Sequence, residues 1–288
     1  MRKQNTNNIS LRRRLSNGLA LSAITAAALV VTIPLFLILG TVIYHGMAGL
    51  NWSFFTQLPK PMDETGGGMA NAIVGSGMIL ALASMIGVPL GIGAGIFLAE
   101  YGRNTAGNIV RFTADVLNGV PSIVIGLTAY ALVVVPQHHF SMLSGSVALG
   151  IMMIPTISRT TEEVLLMVPQ SIREAALGLG IPQWRTIVSV VLRTASAGIV
   201  TSIMLAFARI AGETAPLMFT VLGNQYWNTN PNQPTAALPL QIFSYSVMPY
   251  DQAHQLAWTG ALLLISLIMI TVILFRFFAN RGVMKGAS

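Results

Sequence analysis

Arg209 stands by itself inside a long apolar stretch, near the middle of Arg193–Leu222. A guanidinium at that depth in a membrane is costly unless it meets a partner or a wet cavity. Glu213 follows four residues later. On one continuous helix it would share a face with Arg209, about 6 Å further along the axis. One reading of the pair is structural, an ion pair that sets packing, although such pairs add little net stability over apolar side chains. The other is functional. Arginine offers a planar fork of donors that matches phosphate oxygens. Arg209 is then a transient stop for a small oxyanion, and Glu213 keeps the stop from becoming a trap. Arg159, nearer the end of its own apolar run, is placed to meet the anion on exit, or else to pair with Glu162 or Glu163. Asp115 stands four residues after Arg111, a spacing that pairs them on a helix.

Other chemistries lack their residues. The chain has no cysteine, so disulfides and thiolate sites are excluded. The histidines His45, His138, His139 and His254 fall in or beside connecting segments, which argues against a metal site or an intramembrane hydrolase. Gly91, Gly93 and Gly95 are too closely spaced for a dinucleotide fingerprint and read as small residues that let helices pack. No phosphate-cradling Walker sequence occurs. The expectation is no catalytic residue, no cofactor and no metal.

The elements that carry these residues follow from composition. Of 288 residues, 53% are hydrophobic and 9% charged, far fewer charges than the roughly one quarter of a soluble domain. No Asp, Glu, Lys or Arg occurs from Leu15 to Pro59, Thr65 to Ala99, Val116 to Ser158, Thr214 to Tyr250 or Gln252 to Phe275. About 20 apolar residues cross a bilayer. The chain reads as an all-α polytopic membrane protein with six helices. They lie at about 19–44, 70–98 (broken near Gly87-Val88-Pro89), 109–135, 143–160, 190–222 and 256–278. Pro121, Pro155 and Pro216 are expected to kink helices.

The net charge of +7 fits basic cytoplasmic loops better than a nucleic-acid surface. Arg2, Lys3, Arg12 to Arg14, Arg103, Arg111, Arg159, Arg173, Arg185, Arg193, Arg276, Arg281 and Lys285 fall on one side of a six-span arrangement, and Lys60 falls on the other. Both termini are therefore expected in the cytoplasm. The first apolar run extends past Pro34 to Ile43, longer than a signal-peptide core, and reads as a retained span. The outer segments 45–69 and 223–255 are rich in Asn, Pro and Gly, with Trp52, Trp227 and Trp258 as interface anchors. Gly66-Gly67-Gly68 reads as a hinge. Four regions result: a basic segment 1–18, a first span with outer loop 19–69, a transmembrane domain 70–279 with a helical insert at about 168–185, and a tail 280–288.

That insert is the connection between the fourth and fifth spans. Pro169 stops one helix. Ser171 stands three residues before Glu174, the spacing of a capping box. Ile172, Ala175, Ala176 and Leu179 recur at helical spacing. Gly180 suits a helix C-terminus, Pro182 blocks continuation, and Trp184 restarts a helix. A bent, partly apolar knob facing water suits docking in a partner's groove.

Glu174-Ala175-Ala176, three residues, then Gly180 resembles the coupling motif of ABC importer permeases. Val190 replaces the family's Ile, Leu192 matches, and Arg193 stands where the family has Pro. Ser158 to Glu162, Ser171 to Gly180, Gly212 to Leu217, Gly67 to Gly75 and Gly119 to Gly126 narrow the resemblance to permease subunits of phosphate-specific ABC importers. The resemblance implies a type I importer fold in a bacterial inner membrane. It implies three kinds of partner: a homologous sister permease, two copies of a cytoplasmic ATPase subunit and an extracytoplasmic phosphate-binding protein. It further implies that Arg173, Glu174, Ala175, Ala176 and Gly180 meet the ATPase, and that Arg209, Glu213 and Arg159 line half of a phosphate pathway. The competing reading, an ion-coupled anion carrier with no ATPase, would want internal repeats and several midplane acids. No repeat is visible, and Glu213 is the main candidate acid.

Overall fold

The computed structural model describes residues 11–61, 64 and 66–285; the N-terminal Arg2 and Lys3 lie outside them. Its helices are α1 (Leu11–Met47), α2 (Trp52–Thr56), α3 (Ala70–Glu100), α4 (Thr105–Gly119), α5 (Ser122–Gln137), α6 (Met142–Leu166), α7 (Gln170–Gly178), α8 (Gln183–Thr194), α9 (Ser196–Ala211), α10 (Ala215–Thr220), α11 (Leu238–Ser246) and α12 (Asp251–Lys285). Four of them, α1, α3, α6 and α12, are long and apolar enough to cross a membrane. The pairs α4–α5 and α8–α9 are bent by 107° and 72° and bring the number of spans to six if each pair is one span. The chain is a multi-pass membrane protein.

The bends have local causes. Proline disfavours a helical conformation in the residue before it. Val120 is accordingly extended (φ −70°, ψ 132°), and Pro121 opens α5. A proline four residues after Gly212 would leave that residue's carbonyl without its N–H partner and clash with it. The helix therefore ends at Ala211, and Pro216 sits in the first turn of α10. The fifth span thus does not run unbroken from 190 to 222. Pro89, by contrast, does not break α3, which stays helical from Ala70 to Glu100. One lost hydrogen bond is tolerated there because the helix is clamped by its neighbour on both sides of the proline.

That neighbour is α6, and the clamp is a row of glycines. A Cβ on Gly87 would lie 2.7 Å from Met153 Cβ, one on Gly91 2.7 Å from Ile157 Cβ, and one on Gly95 2.6 Å from Thr161 Cβ. Every fourth residue of one helix meets every fourth residue of the other, so the backbones approach closely. Gly93 faces open space, so only Gly91 and Gly95 of the expected trio pack this way. Gly91→Leu should destabilise the fold by about 1–3 kcal/mol through overpacking, whereas Gly93→Leu should be nearly neutral. Thermal unfolding of the two purified variants checks the contrast.

The central core joins α3, α6, α9 and α10 through Ile79, Ala83, Leu149, Met153, Ile157, Ala206, Ile210, Leu217 and Val221. The second outer segment is more than loop. It contains α11, whose Leu238 and Leu240 are buried and whose first amide donates to Ser76 Oγ at 2.7 Å. The Asn-rich stretch before it is tied by its own side chains: Asn224, Asn228 and Asn230 each accept from a backbone N–H two residues on.

Candidate substrate path and coupling segment

A seam of polar side chains runs between α4 and α6 in otherwise apolar helices. At one end of it Glu162, 3% exposed, accepts from two guanidinium groups. Arg111 Nε reaches its Oε1 at 2.6 Å and Arg159 Nη1 its Oε2 at 2.6 Å. Arg159 Nε also pairs with Asp115 at 2.9 Å. Arg111 further donates to the carbonyls of Leu98 and Gly102, pinning the end of α3 to α4. The expected Arg111–Asp115 pair is therefore not formed. Arg111 instead turns across the seam to the buried Glu162 carboxylate, which needs compensation, while Arg159 bonds Glu162 on its own helix and reaches across to Asp115. Of the partners considered for Arg159, Glu162 is the one used.

One helical turn further along, about 5 Å by α-helical rise, stand Asn118 and Thr156. Thr156 Oγ1 donates to Asn118 Oδ1 at 3.2 Å. Arg209, entering from α9, reaches Asn118 Oδ1 at 3.5 Å and Thr156 Oγ1 at 3.4 Å. Arg159 and Arg209 thus occupy successive levels of one seam. Arg209 is exposed, its two hydrogen bonds are long and go to neutral oxygens, and no ion pair to it occurs among the described residues. The expected partnership with Glu213 is overturned. The helix stops at Ala211, so Glu213 lies in the turn between α9 and α10, and the four-residue spacing no longer places the two on one face. Asn118 and Thr156 were missed as site residues. Their one visible signal is polarity within charge-free runs.

The insert folds as a knob. Helix α7 begins at Gln170 after Pro169 with no side-chain cap, so Ser171 and Glu174 do not form a capping box; Pro169 supplies the start, and the helix opens one residue before Ser171. Its end follows the expected glycine chemistry. Gly180 is left-handed (φ 77°), its N–H bonds Leu177 O at 2.9 Å, and Ile181 N–H bonds Ala176 O at 3.3 Å, which is the Schellman arrangement. Helix α8 then starts at Gln183 after Pro182 and turns by 72° into α9 at Ala195; Arg193 lies in its last turn.

The knob has an outer and an inner side. Leu179 (82% exposed) and Trp184 (64%) face out, as do Glu174 and Ala175, while Ala176 is buried. Exposed apolar groups of this size mark an interaction surface. Arg173 does not belong to it. Its guanidinium turns inward, pairing with Glu100 Oε1 at 3.0 Å and donating to Leu165 O at 2.7 Å. Both side chains of the pair are nearly buried, at 12% and 9% exposure. The reason is local: Arg173 near the start of α7 lies over the ends of α3 and α6, where the Glu100 carboxylate and the helix-end carbonyl of Leu165 both accept from its guanidinium. The pair joins the knob to the end of α3.

Residues 91–282 match the family model described as binding-protein-dependent transport system inner membrane component. Two curated relatives bear the name phosphate transport system permease protein PstA. The one from Yersinia pestis is 45% identical over 265 residues, 92% of this chain and 90% of that one. The one from Xylella fastidiosa strain 9a5c is 48% identical over 262 residues, 90% and 91% of the two chains. Among solved structures, a chain of the inward-facing MetNI methionine ABC transporter matches with a TM-score of 0.58 at 19% identity, covering 75% of this chain and 96% of that one, a likeness of fold. A match across both bent helix pairs and the knob, together with near-half identity along nine-tenths of the sequence, places this chain in the family of binding-protein-dependent transport system inner membrane components, with the fold of ABC importer permeases.

Proposed function

We propose that the chain is the permease subunit of an ATP-driven importer of inorganic phosphate. The observation that carries this reading is the 45–48% identity to PstA permeases along nine-tenths of both chains. The geometry gives the reading its chemistry. Arg209 holds a guanidinium against neutral oxygens, where an oxyanion can replace long, weak hydrogen bonds with charge-assisted ones. Arg159 offers the next stop but is held by two carboxylates, so an anion leaving Arg209 meets a weaker competitor and is not trapped. The chain itself carries out no bond-making chemistry in this reading.

Work comes from a partner ATPase through the knob, with Glu174, Ala175 and Gly180 at its surface. Arg173 and the buried Ala176 anchor it. Two ATPase copies, a homologous sister permease supplying the other half of the path, and an extracytoplasmic phosphate-binding protein complete the assembly in a bacterial inner membrane. The distribution of arginines supports a cytoplasmic side for both termini and the knob. The role of Glu213 is revised: in the turn after Arg209 it contributes a local negative field, not a paired charge. Cells lacking this chain are expected to lose ATP-dependent uptake of labelled phosphate and to keep sulfate uptake. Loss of both, or of neither, sinks the assignment.

A further inference from the structure

Asn118 and Thr156 do more than give Arg209 a resting place. A guanidinium has only donors to offer, so the two atoms it faces both act as acceptors: Asn118 Oδ1 at 3.5 Å and Thr156 Oγ1 at 3.4 Å. The Asn118 amide therefore turns its oxygen, not its nitrogen, toward the arginine. The Thr156 hydroxyl, accepting from Arg209, passes its own proton to the same Oδ1 at 3.2 Å. An amide oxygen has two lone pairs. Oδ1 gives one to the hydroxyl and the other to the guanidinium. The second bond is long and is weaker than a charge-assisted one. An oxyanion drawn onto Arg209 displaces it and leaves Oδ1 with an open lone pair beside the anion. Asp115, one turn earlier on α4, is paired with Arg159 at 2.9 Å.

We propose that Asn118 is a specificity-determining residue: its Oδ1 accepts a hydrogen bond from the P–OH group of a phosphate held at Arg209, and so favours a protonated oxyanion over a fully ionised one. At neutral pH inorganic phosphate keeps at least one proton, whereas sulfate keeps none and presents only acceptors. Phosphate meets the guanidinium with its charged oxygens and Oδ1 with its hydroxyl. Sulfate sets an acceptor against an acceptor. A site that hydrogen-bonds a substrate hydroxyl rejects an analogue lacking one, most strongly where the polar group left over is buried. Here Arg209 is exposed and Asn118 only half-buried, so the preference is that of a single hydrogen bond, about 3- to 10-fold. Thr156 is a positioning residue whose hydroxyl holds Oδ1 in place. The inference rests on the proposed function for the site at Arg209 and adds to it a filter within the permease itself.

The test reads occupancy of Arg209, not uptake. The complex is purified with its ATPase and sister permease but without the phosphate-binding protein, so that no other component selects the anion. It is treated with phenylglyoxal, which modifies exposed arginines, and the adduct at Arg209 is counted by peptide mass spectrometry. Inorganic phosphate and sulfate are titrated at matched ionic strength, with the exposed Arg103 in the same digest as the control for a general salt effect. In wild type, half-protection of Arg209 is expected at about 3- to 10-fold less phosphate than sulfate. Asn118→Ala removes the acceptor and should bring that ratio close to one. Asn118→Asp keeps an acceptor at the same place; it weakens both anions by its charge and should keep the ratio, a rescue that a merely structural role does not give. Equal protection by the two anions in wild type, protection by neither, or a ratio that survives Asn118→Ala overturns the proposal. Phosphate uptake by the full assembly, measured separately, reports on the proposed function: normal uptake beside equal protection removes the filter and leaves the importer standing.

Discussion

Arg209→Gln is expected to lower phosphate uptake by about 10- to 150-fold, the worth of a hydrogen bond to a charged group, while the protein inserts and assembles normally. The expectation follows from what surrounds the guanidinium. Three other arginines, Arg111, Arg159 and Arg173, are each paired with a carboxylate. Arg209 has only Asn118 and Thr156, at 3.5 and 3.4 Å, and both are neutral. Removing its charge strands no buried carboxylate, so folding should be spared, and glutamine keeps much of the length and a donor. Lysine should restore part of the rate as a point charge without the fork. Uptake assays with membrane levels of the protein measured alongside separate the two effects. Near-normal uptake in Arg209→Gln at normal abundance removes Arg209 from the path.

The second large effect concerns the knob. Glu100→Gln should break the tie between the knob and the end of α3, leaving Arg173 nearly buried without its counter-charge. Loss of one partner from such a pair costs about 3–5 kcal/mol, enough to let α7 move away from the bundle. The expected result is ATP hydrolysis that continues while phosphate uptake falls more than tenfold. Glu174→Lys should also uncouple the two activities, but by a different route, because Glu174 is on the outer surface of the knob and its reversal spoils the partner's fit. A charge swap distinguishes them. Glu100→Arg with Arg173→Glu should recover a measurable part of the uptake lost by either single change, whereas nothing on α3 should rescue Glu174→Lys. Wild-type coupling in Glu100→Gln would show that the pair serves packing alone.

How much of this was readable beforehand depended on the range of the interaction. The spans were legible because a bilayer imposes long charge-free runs, and the observed α3, α6 and α12 contain the expected intervals. The turn at Gly180 was legible because its hydrogen bonds join residues only three and five apart. The break after Ala211 had a signal, Pro216 set four residues after Gly212, but it was read as a kink within one span. That single misreading produced the supposed Arg209–Glu213 pair. Helix α11 was hidden because its burial depends on Ser76, 162 residues away. The ties that shape the site were out of reach for the same reason: Arg111 and Glu162 are 51 residues apart, and Arg173 and Glu100 are 73 apart. Local spacing favoured Arg111 with Asp115, the family resemblance favoured an outward Arg173, and tertiary contacts turned both side chains elsewhere.

The central claim is that an oxyanion crosses beside Arg209 only when a separate ATPase drives the knob. Proteoliposomes test it directly. The chain is reconstituted with its partner subunits and binding protein, and labelled phosphate is followed with ATP on the ATPase side, with a non-hydrolysable ATP analogue, and with the chain alone. Accumulation against a gradient with ATP, and none in the other two samples, is the predicted result. Phosphate entry through the chain alone would contradict it and mark the protein as a self-sufficient carrier.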